Sequence, residues 1–182
     1  MNAFDSSPRL EDTAPEVRDR ALVGRAAYLL NDYRATGHAN HLMTAEEITR
    51  QIASLWHTAT GTGRQTMWLQ VARYAIELVA CRNPRNLMLE NDPRSGIFGD
   101  GIPLEEMAPQ AHRDILGAAR HLAYHQRYDS PADHARASAL AEQAAAALQQ
   151  QTRIGLPGVW LSVVRYLAEL HTHTLVLNDA RN

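Results

Sequence analysis

A chain of 182 residues with 45% hydrophobic and 21% charged side chains can bury a core, as one sizeable domain or two small ones. A net charge of −2 gives no global attraction for nucleic acid or anionic lipid, and the lone Cys81 permits no internal disulfide. All 18 basic residues are arginine, which reads as GC-rich bacterial coding and excludes a Schiff-base lysine and a phosphate-loop lysine.

Residues 1–13 are polar, contain Ser-Ser-Pro, and are expected to form a loose arm without the apolar core of a signal peptide. Thr13-Ala14-Pro15-Glu16 reads as a helix start, and Leu22, Ala26, Leu29, Leu30 and Tyr33 give that helix an apolar face ending near Gly37. Thr44-Ala45-Glu46-Glu47 matches a capping box and predicts a second helix, lined by Ile48, Ile52, Leu55 and Trp56 and broken at Thr60–Gly63. A third helix is expected from Gln65 to Cys81. From Asn83 to Pro103 turn signals alternate with Leu87, Met88, Leu89, Ile97 and Phe98, so this segment is expected to pack as an ordered connection. Helices over 109–128, from Ser130 to Gln151 and from Gly155 to Val176 complete the chain, and no stretch alternates as a strand would.

One eleven-residue pattern occurs twice. Residues 68–78, WLQVARYAIEL, recur 92 positions later as WLSVVRYLAEL over 160–170, with seven identities. Average usage would give about one. Upstream, 23–29 aligns with 116–122 at an interval of 93, and a one-residue deletion is expected in the loop before the motif. The expected architecture is all-α, with six principal helices as two duplicated three-helix units in a pseudo-twofold bundle. The expected boundaries are an arm at 1–13, repeat one at 14–81, a connection at 82–108, repeat two at 109–177 and a tail at 178–182.

Each motif helix is apolar around most of its circumference and carries one narrow polar stripe. The stripe is expected either to hold an intrahelical Arg–Glu pair against solvent or to line a seam between repeats. In the latter case Arg73, Tyr74, Glu77, Arg165, Tyr166 and Glu169 form a polar or ligand-binding cleft. Nine histidines offer a second chemistry. His121 and His125 share one helix face, as do Glu169 and His173, and convergence of the two pairs would give a site for a divalent metal ion. Copy one has Tyr28, Asp32, Glu77 and Cys81 in the corresponding places, so it does not duplicate that site.

Other motifs fall short. Gly61-Thr62-Gly63-Arg64 lacks the third glycine, the lysine and the preceding strand of a nucleotide loop. The third helix is too apolar to read a DNA groove. Ser95 and Ser162 lack a nucleophile elbow. The composite expectation is a cytoplasmic, non-enzymatic helical protein acting through protein partners or self-association, without nucleic acid, membrane or cofactor. The alternative is a metal- or small-ligand-binding bundle, in its strong form a metal-dependent enzyme using His121, His125, Glu169 and His173. Alanine-rich 135–147 is expected to be an exposed surface.

Overall fold

The structure, a computed structural model, describes residues 3–14, 20–80, 96–99, 104–153 and 155–179. It is all-α, with no strand among the described residues. The long helices are α3 (Ala21–Thr36), α4 (Ala39–Thr60), α5 (Gln65–Ala80), α8 (Pro109–Tyr128), α9 (Pro131–Thr152) and α10 (Pro157–Asp179). Single turns form α1 (Ala3–Ser6), α2 (Leu10–Thr13), α6 (Gly96–Gly99) and α7 (Leu104–Met107). The chain divides into a first unit, Thr13–Pro103, and a second, Met1–Asp12 with Leu104–Asn182.

In the first unit α3, α4 and α5 pack against one another. The core helix is α5, where every residue from Val71 to Ile76 is buried. Trp56 and Trp68 are fully buried with ring centres 6.2 Å apart, and the Trp68 indole donates to the Thr62 carbonyl at 2.9 Å. That bond satisfies the indole's polar end inside the core, so the ring contributes its apolar area without an unmet donor. Of the expected connection, most of 81–95 and 100–103 lies outside the described residues. Its described part is ordered: Phe98 is buried and the Ile97 amide donates to Glu46 Oε1 at 3.0 Å.

In the second unit α8, α9 and α10 likewise pack together, with Trp160 fully buried. The segment expected to be a loose arm packs here instead. Phe4 and Leu10 are buried, α1 packs on α9 and α10, and Arg165 Nη1 donates to the Ser7 carbonyl at 2.5 Å. Polar composition concealed two apolar anchors and a carbonyl that a buried guanidinium needs.

Two further expectations change, and one falls outside the described residues. Helix α4 starts at Ala39, not Thr44, because Thr44 Oγ1 bonds back to the Asn40 carbonyl at 2.9 Å instead of capping. The start expected at Thr13–Glu16 falls largely on 15–19, outside the described residues. Part of the alanine-rich stretch of α9 turns inward: Ala137, Ala141, Ala144 and Ala145 are buried while Ala135 and Ala146 are exposed, and a Cβ on Gly117 would stand 3.2 Å from Leu140 Cδ1. Small side chains let these helix backbones approach closely.

The interval of 93 and its deletion are not found. The outer helix ends of the units differ, but the bounds at the inner turns recur at 92: Thr36 and Tyr128, Ala39 and Pro131, Thr60 and Thr152, Gln65 and Pro157. Left-handed residues do the same, at Gly37 and Asp129, Gly61 and Arg153, Gly63 and Gly155. So do the buried positions Val23 and Ile115, Leu30 and Leu122, Trp56 and Leu148.

Candidate functional site

The last two turns of α8 and the end of α10 enclose a concavity of about 650 Å³, lined by Arg120, Ala123, Tyr124, Gln126, Arg127, Tyr128, Leu175 and Val176. Tyr124 and Tyr128 are one helical turn apart, so both rings leave the same face of α8. They stack with centres 6.1 Å apart and an interplanar angle of 21°, yet remain 55% and 62% exposed. The Arg127 guanidinium stands 5.3 Å from the Tyr128 ring centre. Among the described residues no carboxylate lines the concavity, and Leu175 and Val176 supply an apolar wall.

Behind this surface, burial holds His171 below its ordinary range, and the charges of His112 and Arg120 push in the same direction. Burial also lowers His112, against the opposing attraction of Glu105. Nδ1 of His171 is buried without a hydrogen bond.

The four residues expected to converge on a metal have separate partners. His121 Nδ1 pairs with Asp133 Oδ1 at 2.8 Å, and that bond is the main reason the Asp133 carboxyl lies below its usual range. His125 Nδ1 lies 3.0 Å from the Ser130 carbonyl, its ring stacked on His134 at 4.4 Å. Glu169 accepts from Arg165 Nε at 3.0 Å, and His173 is exposed.

Among the described residues, the imidazole and carboxylate groups that do converge are Asp32, His38 and His41, with ligand atoms all within 4.8 Å of one another. Sequence pattern alone does not join Asp32 to His38 and His41. The spacing His38-x-x-His41 was available, whereas the third member lies on the preceding helix and meets them only through the turn at Gly37.

The expected seam residues are engaged within their own units. Arg73 and Arg165 are buried, so neither pair stands on a solvated stripe. Glu77 accepts a two-pronged contact from Arg34, at 2.9 and 2.6 Å, with Arg73 Nη1 3.9 Å away. Arg165 bridges Glu169 and Ser7. Tyr74 and Tyr166 are both buried. With Glu77 between Arg34 and Arg73, and Arg165 between Glu169 and the Ser7 carbonyl, these charged groups tie segments together within each unit.

No family model matches the chain, and no curated protein or solved structure is similar to it. Function therefore has to be argued from these surfaces. No helix among the described residues is long and apolar enough to cross a membrane.

Proposed function

We propose that the chain is a non-catalytic binding protein, built by duplication of a three-helix unit, that receives an acidic, apolar-bearing segment of a partner protein between α8 and α10. The recurrence of helix bounds at 92 residues supports the duplication. The observation that carries the binding role is the exposed Tyr124–Tyr128 stack beside Arg120 and Arg127, with no acid among the described lining residues.

Tyrosine and arginine are the side chains that concentrate binding energy at protein interfaces. Two tyrosines more than half exposed contribute little to this fold, so their place on one face is explained by contact with something else. The concavity suits one or two apolar side chains, and the positive charge of Arg120 and Arg127 favours carboxylates beside them.

Peptide display followed by affinity measurement tests the reading. Selected peptides should pair acidic with aromatic or aliphatic residues. Tyr124→Ala with Tyr128→Ala should weaken them about 30-fold, the equivalent of one interface hot spot of about 2 kcal/mol, while the melting temperature holds. Arg120→Glu should reverse the charge preference. Peptides that bind the double variant as well as the parent would overturn the proposal. Self-association abolished by the same variant would identify a second copy of the chain as the occupant.

A further inference from the structure

Helix α3 ends at Gly37, whose φ of 75° lets its amide cap the Tyr33 carbonyl at 2.7 Å while the chain reverses. Only Gly37 and His38 separate α3 from α4. So tight a hairpin sets the first turn of α4 against the last turns of α3, placing His38 and His41 beside Asp32. His41 contacts the Asp32 carboxylate through Nδ1, and the His38 and His41 rings meet edge to face with centres 5.6 Å apart.

We propose that Asp32, His38 and His41 bind a divalent transition-metal ion of the zinc type, with a fourth position open to water or a partner's ligand. Two imidazole nitrogens and one carboxylate oxygen are the donor set such ions prefer, and three protein ligands leave one coordination site free. The ring spacing fits. Imidazoles bound through nitrogens about 2.0–2.1 Å from a tetrahedral ion have centres roughly 5 Å apart. Ligand atoms up to 4.8 Å apart must close by about an ångström, which rotation of the exposed His38 supplies.

The residues are also poorly explained without an ion. His38 occupies the N-cap of α4 but makes no side-chain cap bond, and histidine is not a residue that favours that position. Asp32 places an anion near the C-terminal end of α3, where the helix dipole disfavours negative charge. A cation at this corner compensates the second and employs the first.

The matching corner of the second unit shows what a non-binding arrangement looks like. Ser130 stands there as a true N-cap, its Oγ accepting from the Asp133 amide at 3.3 Å, and the Asp133 carboxylate is engaged by His121. Capping and pairing leave no convergent set of three donors.

Zinc titration of the full chain, purified without a histidine tag, tests the site by calorimetry and by thermal unfolding. One equivalent of zinc should bind and raise the melting temperature, and cobalt in its place should give the visible absorption of a four-coordinate ion. His38→Ala, exposed and without a capping bond to lose, should fold as the parent does and weaken binding at least tenfold. Asp32→Asn should do the same, and His121→Ala should leave binding intact. Absence of a stoichiometric site, or one that persists in His38→Ala with Asp32→Asn, would overturn the assignment.

Discussion

The two units each set three long helices in order, of which α4 and α9 match at 22 residues, and fill them differently. Where α4 buries Ile52 and Trp56, α9 buries Ala144 and Leu148 at the places 92 residues on. Thr49 is matched by Ala141. The first unit has a bulky core in which two indoles meet. The second brings α8 and α9 close over alanine and glycine, and adds Phe4 from the N-terminal segment against α9 and α10. One helical frame thus tolerates two solutions, provided total volume is conserved by closer approach or by a supplementary side chain. The core helix bearing the tryptophan is the exception, filled alike in both, and the first helix of each unit shares its buried Ala26 with Ala118 and Leu30 with Leu122.

That exception can be broken first. Trp68→Ala and Trp160→Ala should each cost about 3–5 kcal/mol, the range for deleting a buried indole, and denaturant unfolding should show it. The value for Trp160 sharpens the comparison. If closely packed alanine helices cannot collapse into the void, Trp160→Ala will lie at the upper end and Trp68→Ala lower, because Trp56 can relax towards the gap. A parental midpoint in either variant would show that the shared motif is not the core of its unit.

Acidification should separate the units next. Burial lowers His171 from its ordinary value of 6.5, so the unfolded chain binds that proton more readily than the folded one. The associated stability is complete above about pH 6.5 and is lost as pH falls through that value towards the folded one. Melting curves from about pH 7.5 down to about pH 5.5 should show the decline, and His171→Gln should flatten it, with His112 accounting for a remaining slope in the same direction. An unchanged slope in that variant would remove His171 from the explanation.

The smallest effect lies at the helix ends. Helix α4 stops at Gly61, with φ of 62°, whereas α9 stops at Arg153 in the same left-handed region, with φ of 53°. Glycine adopts that conformation without the steric cost borne by a side chain. Arg153→Gly should therefore stabilise by about 1 kcal/mol, and Gly61→Ala should destabilise by a similar amount, since a Cβ there meets nothing within 4 Å. Equal and opposite shifts in melting temperature are the expected result.

Where a signal was both local and large, sequence sufficed. The run from Trp68 to Leu78 announces a helix apolar on most sides, and Val71–Ile76 are buried as that pattern requires. Thr44 shows the limit of a local signature, because its hydroxyl had a competing acceptor one turn back. Alanine shows another: it is indifferent to its surroundings, so Ala135–Ala147 could not reveal which face turns inward. The histidines mark the boundary most clearly. Helical spacing puts His121 and His125 one turn apart, but which neighbour each ring meets depends on the adjoining helix and its turn. The Asp32, His38 and His41 group needed the two-residue reversal at Gly37 before it could be seen. Tyr124 and Tyr128 carry no sequence signal that sets them apart, because spacing alone does not tell an exposed tyrosine pair from a buried one.

The docking of Ser7 on Arg165 has a temporal meaning as well as a spatial one. The two residues are separated by 158 positions, among the longest separations the chain can offer. During synthesis at about 5–20 residues per second, α1 waits roughly ten seconds or more for α10 to be made. The first unit has its three helices translated by Ala80 and can assemble meanwhile, from contacts made between neighbours in sequence. The second cannot close until its earliest and latest segments meet. Its folding carries the high contact order and the slow loop closure, and the exposed apolar faces of Phe4 and Leu10 are the surfaces most in need of protection on a nascent chain.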